Sequence, residues 1–278
     1  MSARSNLLVV NRLRWHVTER GRGPTVLLIH GFTGRGTSWG HHSIALADRF
    51  RVVTPDLPGH GRSATPSDPA RASVACTAND LATILARRGL APAAVVGYSL
   101  GARIALRLAV SRPELVGRLV LESPSAGFVS EEERAARRAL DEARAVRIEE
   151  RGIRAFVDEW EREPVFDGQA DRLPPARRGA LRAGRLANRP SGLAVSLRGA
   201  GQGSMEPLFD SLREVRCPTL VIAGAEDPIG CRRAGAISAG IRNARLEVVP
   251  GAGHAPHLEA PTAFRRLILS FLLEEPAS

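Results

Sequence analysis

A chain of 278 residues with 44% hydrophobic content can bury a large single core, and its formal charge of +10 comes from 39 basic residues, all of them arginine. No apolar run approaches the roughly 18 residues of a membrane span, and the N-terminus has neither the apolar stretch nor the small-residue cleavage site of a secretory signal, so a soluble, cytoplasmic protein is expected. The charge is spread along the chain with only 4% aromatic residues, which argues against nucleic acid as a partner while leaving a field that attracts small anions.

Residues 6–10 and 14–18 pattern as an N-terminal hairpin turning at 11–13. Strands are predicted at 25–30 and 51–56, a helix at 74–88, a strand at 93–98, a helix at 100–111 and a strand at 117–122. Most of these strands are continuous apolar runs, as befits strands buried on both faces. Their alternation with helices predicts an α/β fold with a mainly parallel, twisted sheet flanked by crossover helices. Cys76 falls in the first helix; together with Cys217 and Cys231 it forms no pair spaced for zinc or redox chemistry. The odd number also speaks against a disulfide framework, so all three are expected as small packing residues in a reducing compartment.

From about residue 128 to 204 the alternation stops, and the text becomes helical and charged with Pro164, Pro174, Pro175 and Pro190 as punctuation. Residues 128–171 hold eight arginines against thirteen acids, whereas residues 172–205 hold seven arginines and no acid. This reads as a helical cap, 128–204, inserted between two parts of an α/β core, 1–127 and 205–278. Strands at 219–224 and 246–250 and a helix at 261–273 complete that core.

The strongest chemical signal is Gly97-Tyr98-Ser99-Leu100-Gly101, a G-x-S-x-G elbow between a strand and a helix. The tight turn requires glycine at 97 and 101 and lifts the Ser99 hydroxyl out of the sheet, where the helix N-terminus favours developing negative charge. A serine hydroxyl is inert at neutral pH without a base in hydrogen-bond reach. His254, in Gly251-Ala252-Gly253-His254 after the last strand, is the expected base. Asp227, in Gly224-Ala225-Glu226-Asp227 after the preceding strand, is the expected acid, with Glu226 as its competitor. Two backbone amides should form an oxyanion hole: that of Leu100, next to the serine, and that of Phe32, in the loop His30-Gly31-Phe32-Thr33-Gly34. Of the other histidines, His257 reads as packing or a loop hydrogen bond, His60 as a loop organiser and His30 as structural. His41 and His42 are expected to face solvent.

The segments HGFTG, DLPGHGRS, GYSLG, GAED and GAGHAPHLE resemble the α/β-hydrolase superfamily and span the whole core. GYSLGAR, LESPSAGF, FVDEWEREPVF and RLANRPSGLAVSLRGAGQG further resemble the 2-succinyl-6-hydroxy-2,4-cyclohexadiene-1-carboxylate synthases of menaquinone biosynthesis, over nearly the full length. That resemblance implies an α/β-hydrolase fold and a lyase, in which the serine–histidine pair removes a proton and an enolpyruvyl group leaves as pyruvate. It implies no metal and no cofactor. It also implies a small substrate with several carboxylates, held by Arg103, Arg137 and Arg185, with Trp160 and Tyr98 lining the pocket. Planar guanidinium forks suit such a substrate on independent chemical grounds.

Arg103, on an elbow helix that should be buried, is hard to read as surface charge; plainer readings are solvated i,i+4 pairing for Arg137 and cap core for Trp160. Two departures from the family pattern, Ser125-Ala126-Gly127 and Pro228-Ile229-Gly230, lie where they would reshape the pocket. A serine hydrolase of an ester or carbon–carbon bond in an acidic metabolite remains the alternative. A binding protein on a dead scaffold is disfavoured, because all three reactive positions are filled. A monomer is the expected state.

Overall fold

An eight-stranded sheet forms the centre of the structure, a computed structural model that describes residues 3–274. The N-terminal hairpin pairs β1 (Arg4–Val10) with β2 (Leu13–Arg20) through Asn11 and Arg12. Both turn residues have positive φ, 46° and 65°, as a tight two-residue hairpin turn demands. The strands β3 (Thr25–Ile29), β4 (Arg51–Pro55), β5 (Ala93–Tyr98), β6 (Val116–Glu122), β7 (Thr219–Gly224) and β8 (Ala244–Val249) follow. Their order across the sheet is β1-β2-β4-β3-β5-β6-β7-β8; β2 is antiparallel to both its neighbours and every other pair is parallel. The last strand starts two residues before the apolar run at 246, with the half-buried Ala244 and the exposed Arg245 at the sheet edge.

The pleat sends alternate residues of β3 to opposite faces: Leu27 and Ile29 to one hydrophobic cluster, Val26 and Leu28 to the other. On the second face lie Leu46 of α1 (Gly40–Leu46) and Phe264, Ile268 and Phe271 of α10 (Pro261–Leu273). On the first lie α2 (Val74–Arg87), α3 (Leu100–Ser111) and α8 (Pro228–Gly240). A short α9 (Pro256–Glu259) precedes α10.

Between β6 and β7 the chain is helical: α4 (Glu131–Trp160), α5 (Gln169–Arg172), α6 (Pro175–Leu186) and α7 (Pro190–Ala200). Ser130 caps α4 by accepting from the Glu133 amide, and Glu131 to Glu133 lie at the positive end of its dipole. The helix breaks at Gly152, where φ is +78°. Ala145, Ile148, Phe156 and Val157 of α4 pack on Leu193, Ala194 and Leu197 of α7 in a small core separate from the sheet's. Among the described residues, no helix is long and apolar enough to cross a membrane.

The strand order reverses between β3 and β5, because β4 lies on one side of β3 and β5 on the other. Open α/β sheets bind ligands in the crevice at the carboxyl ends of such strands. The loop after β3 and the elbow after β5 both begin there.

Candidate active site

Ser99 joins β5 to α3 with φ +51° and ψ −106°, a region side-chain-bearing residues avoid at a cost of order 1–3 kcal/mol. The turn is held by the Ser99 amide, which donates to the Glu122 carbonyl of β6 at 2.9 Å. A Cβ on Gly97 would collide with the Gly101 carbonyl, and one on Gly101 with that of Ile29, so β5, α3 and β3 can close only around glycine. Leu100 heads α3, where the first amides of a helix lack intrahelical acceptors.

Ser99 Oγ lies 3.1 Å from His254 Nε2, and His254 Nδ1 lies 2.9 Å from Asp227 Oδ2. The second Asp227 oxygen accepts from the Gly230 amide at 2.7 Å, so Asp227 is also the N-cap of α8. Burial alone would raise the Asp227 carboxyl, but the bonds from His254 and Gly230 outweigh it and hold it below its usual value. Glu226 borders the same cavity without bonding His254, which separates the two candidate acids.

The loop carrying His254 is pinned on both sides. Ser123 Oγ donates to the His254 carbonyl at 2.8 Å, and Glu122, fully buried, accepts from the amide and Nδ1 of His257 at 2.8 and 2.9 Å. Glu259 accepts from the amides of Gly253 and Ala255 at 2.8 and 3.1 Å. Glu122 thus contacts both ends of the reactive pair: its carbonyl holds the Ser99 amide and its carboxylate holds the histidine loop.

Ser99 and His254 open on a cavity of about 530 Å³ walled by both core and cap. Phe32, Tyr98, Leu100 and Arg103 come from the core; Arg137, Arg144, Trp160 and Phe166 come from the cap; and Arg233 comes from α8. Arg103 lies one helical turn after Ser99, is 8% exposed, and donates from Nη1 to the Ala200 carbonyl at 2.7 Å. Burial, and next the neighbouring Arg137, pushes its guanidinium down to about 9. Arg233 is lowered too, by burial first and then by Arg137. Arg137 is aimed by Asp141, which accepts Nε on both oxygens at 3.0 and 3.1 Å. Among the described residues, no carboxylate forms an ion pair with Arg103 or Arg233. Arg103 and Arg233, each lowered by Arg137, therefore border the cavity next to the serine without a carboxylate ion pair, whereas Arg137 and Arg144 are paired with Asp141 and Glu163.

The structure brings together Ser99, His254, Asp227, Phe32, Leu100, Tyr98, Arg103, Arg137 and Trp160. Trp160 fills both roles open to it, packing on Phe156 and Phe32 while bordering the cavity. Arg185 departs from expectation: it lies behind Phe166, with its guanidinium 5.1 Å from that ring and Nη1 donating to Glu161 at 3.0 Å. It borders a second cavity and not the one that holds Ser99. His42 also departs, because α1 turns it inward: it is 1% exposed, and Nε2 donates to the His257 carbonyl at 2.8 Å. His30 is structural as expected, its Nδ1 donating to the Gly31 carbonyl and its Nε2 accepting the Leu57 amide. Sequence reasoning missed Arg144, Arg233 and Phe166. No spacing distinguishes these arginines from the many others.

The model of the alpha/beta hydrolase fold matches residues 24–261. A Bacillus subtilis (strain 168) protein provisionally named 2-succinyl-6-hydroxy-2,4-cyclohexadiene-1-carboxylate synthase is 36% identical over 269 residues, covering 96% of this chain and 97% of its own. A Caulobacter sp. (strain K31) protein provisionally named carbamate hydrolase RutD is 34% identical, covering 91% and 92%. The solved structure of MenH from S. aureus superposes with a TM-score of 0.88 at 31% identity, covering 93% of this chain and 97% of that one.

Proposed function

The chain belongs to the α/β-hydrolase family, and on that premise we propose that it is a lyase: it releases pyruvate from a succinylated enolpyruvyl cyclohexene carboxylate to give 2-succinyl-6-hydroxy-2,4-cyclohexadiene-1-carboxylate. The observation that carries this reading is the pair of guanidiniums without a carboxylate partner, Arg103 and Arg233, both further repelled by Arg137, on the Ser99 cavity. A substrate with several carboxylates relieves that repulsion, whereas a simple ester leaves it in place.

In the reaction, His254 draws the Ser99 proton and the pair removes a proton from substrate carbon. A carbon–carbon double bond forms, the ring carbon–oxygen bond breaks, and the enolpyruvyl oxygen leaves with the electron pair. The proton held on His254 returns to the departing enolate carbon, giving pyruvate. Asp227 stabilises the imidazolium, and the Leu100 and Phe32 amides face the oxygen on which charge develops.

The test supplies the enolpyruvyl substrate and measures pyruvate release beside hydrolysis of a nitrophenyl ester. Pyruvate release should dominate, and Ser99→Ala should lower it by roughly 10² to 10⁴, the usual size of general-base catalysis. Near-wild-type release from Ser99→Ala would end this reading. A second reading, a serine hydrolase of an acidic ester or carbon–carbon bond, is favoured by the hydrogen-bonded Ser99, His254 and Asp227 and by the likeness to the provisional carbamate hydrolase. Ester hydrolysis without pyruvate release would select it.

A further inference from the structure

One edge of the sheet is β8, whose sequence runs Ala244-Arg245-Leu246-Glu247-Val248-Val249. At its two ends the Thr219 amide donates to the Asn243 carbonyl at 2.8 Å and the Ala225 amide to the Val249 carbonyl at 2.9 Å. Bonding residues alternate along a parallel ladder, so residues 243, 245, 247 and 249 bond inward to β7. Ala244, Leu246 and Val248 therefore turn their N–H and C=O groups outward, to a side on which no strand lies among the described residues. Sheet edges are commonly blunted by proline or by a bulge. β8 carries no proline and keeps an unbroken register with β7, and Leu246 and Val248 are left 37% and 43% exposed.

Two copies of such an edge can pair antiparallel about a two-fold axis, and hydrogen bonding and charge together restrict the register. Outward residues must face outward residues, which puts the axis at a residue and not between two. An axis at Arg245 would oppose that arginine to its own copy, and one at Glu247 would oppose two glutamates. An axis at Ala244 or Val248 runs the overlap off the end of the strand. An axis at Leu246 sets Arg245 against Glu247 on both sides, in the non-hydrogen-bonded positions where Cα atoms approach to about 4.5 Å. The same register faces Ala244 with Val248 and Leu246 with its own copy; each of these pairs exchanges both main-chain bonds, and the exposed apolar side chains are covered. Arg245 is already placed, with Nη2 donating to Glu274 at 2.8 Å and its guanidinium 5.2 Å from the Phe271 ring. Glu247 has no ion pair among the described residues of its own chain. The opposite edge, β1, carries a single charge, Arg4, and offers no such match.

We infer that the protein forms a two-fold dimer by antiparallel pairing of β8 with β8 of a second copy, centred on Leu246, in place of the monomer expected from the sequence. The interface uses no residue of the reactive cavity, so it does not depend on which reaction Ser99 performs.

Analytical sedimentation of the full chain from micromolar to millimolar concentration tests it. Salt of about 0.15 M confines repulsion between two copies of charge +10 to about 8 Å. The unaltered protein should pass from monomer to dimer as its concentration rises. Glu247→Arg sets arginine against arginine and Arg245→Glu sets glutamate against glutamate, so each should weaken the dimer at least about tenfold. An equimolar mixture of these two variants sets arginine against glutamate on both sides and should dimerise as the unaltered protein does, a rescue that misfolding cannot imitate. Val248→Pro, which removes an outward donor used only in the dimer, should weaken it as much, and it keeps the test open if Arg245→Glu loses stability with its bond to Glu274. Melting temperatures identify any variant that fails to fold. A protein that stays monomeric throughout, folded variants that dimerise unimpaired, or a mixture of folded variants no better than its components would overturn the inference. No turnover is measured, so failure here is distinguishable from failure of the lyase reading.

Discussion

Arg103 carries its charge where burial and Arg137 both oppose it, yet a guanidinium lowered to about 9 is still protonated at neutral pH. A charge held against such opposition, beside Ser99 and without a carboxylate partner, should gain most when substrate brings one. Arg103→Ala should therefore cost about 1.5–3 kcal/mol of transition-state binding, roughly 10- to 150-fold in kcat/KM for the acidic substrate. Arg103→Lys should recover only part, because a point charge cannot copy the planar fork. Slow hydrolysis of a neutral nitrophenyl ester should survive both changes. Equal losses on the two substrates would mean that Arg103 merely ties α7 to the core through its bond to Ala200. This arginine was legible in the sequence because it lies four residues after the serine, on a helix that had to be buried. Arg144 and Arg233 were not. In helices dense with arginine, one that faces a cavity has the same neighbours in sequence as one that faces solvent.

The elements that hold the site were read unevenly, for one physical reason. Strands buried on both faces, such as β3 and β7, advertise themselves as apolar runs. The polar ends of the outer strands β1, β2 and β8 do not. The reactive serine was legible from local turn chemistry, whereas the support that Glu122 and Ser123 give it depends on β6 lying beside β5 and below the histidine loop, a long-range fact. That support makes a prediction. Glu122→Gln keeps an oxygen to accept the His257 amide and should retain most of kcat. Glu122→Ala leaves the loop unpinned and should lower kcat by about 10- to 100-fold, the usual consequence of sub-ångström misplacement. KM should hardly change, because the arginines proposed to hold substrate lie elsewhere. Steady-state kinetics on the three proteins, with melting temperatures alongside, decide the matter; equal behaviour of Gln and Ala, or a rise in KM alone, would refute it.

At the scale of the whole molecule, the excess charge is arginine and does not titrate in the working range, so acid stability rests on few groups. His30, lowered to about 4, and His42 and His60, each lowered to about 3, stay neutral in the fold, mainly because burial disfavours their charged forms. In the unfolded chain each takes up a proton near 6.5. Above that value the two states bind equally and these groups leave stability unchanged with pH. Below it the unfolded state binds more protons, so stability falls until the folded values near 3 to 4 are passed. Each imidazole contributes up to about 1.4 kcal/mol per pH unit in that window, and the three together up to about 4. The lowered carboxyls of Asp227 and Glu259 act in the same direction only below the ordinary carboxylate range, so the fall between 6.5 and 4.5 belongs mainly to the buried imidazoles. Denaturant titrations from pH 8 to 4.5 should give a plateau above 7 and a steep decline below 6.5. His60→Gln should shallow that decline by about a third, whatever its effect at neutral pH. Added salt separates this cause from general repulsion in a chain of net charge +10. At 0.1 M the screening length is about 10 Å, which relieves distant repulsion but not the cost of charging a buried ring. A curve flat to pH 5, or one that salt alone levels, would assign acid unfolding to net charge instead of to these three histidines.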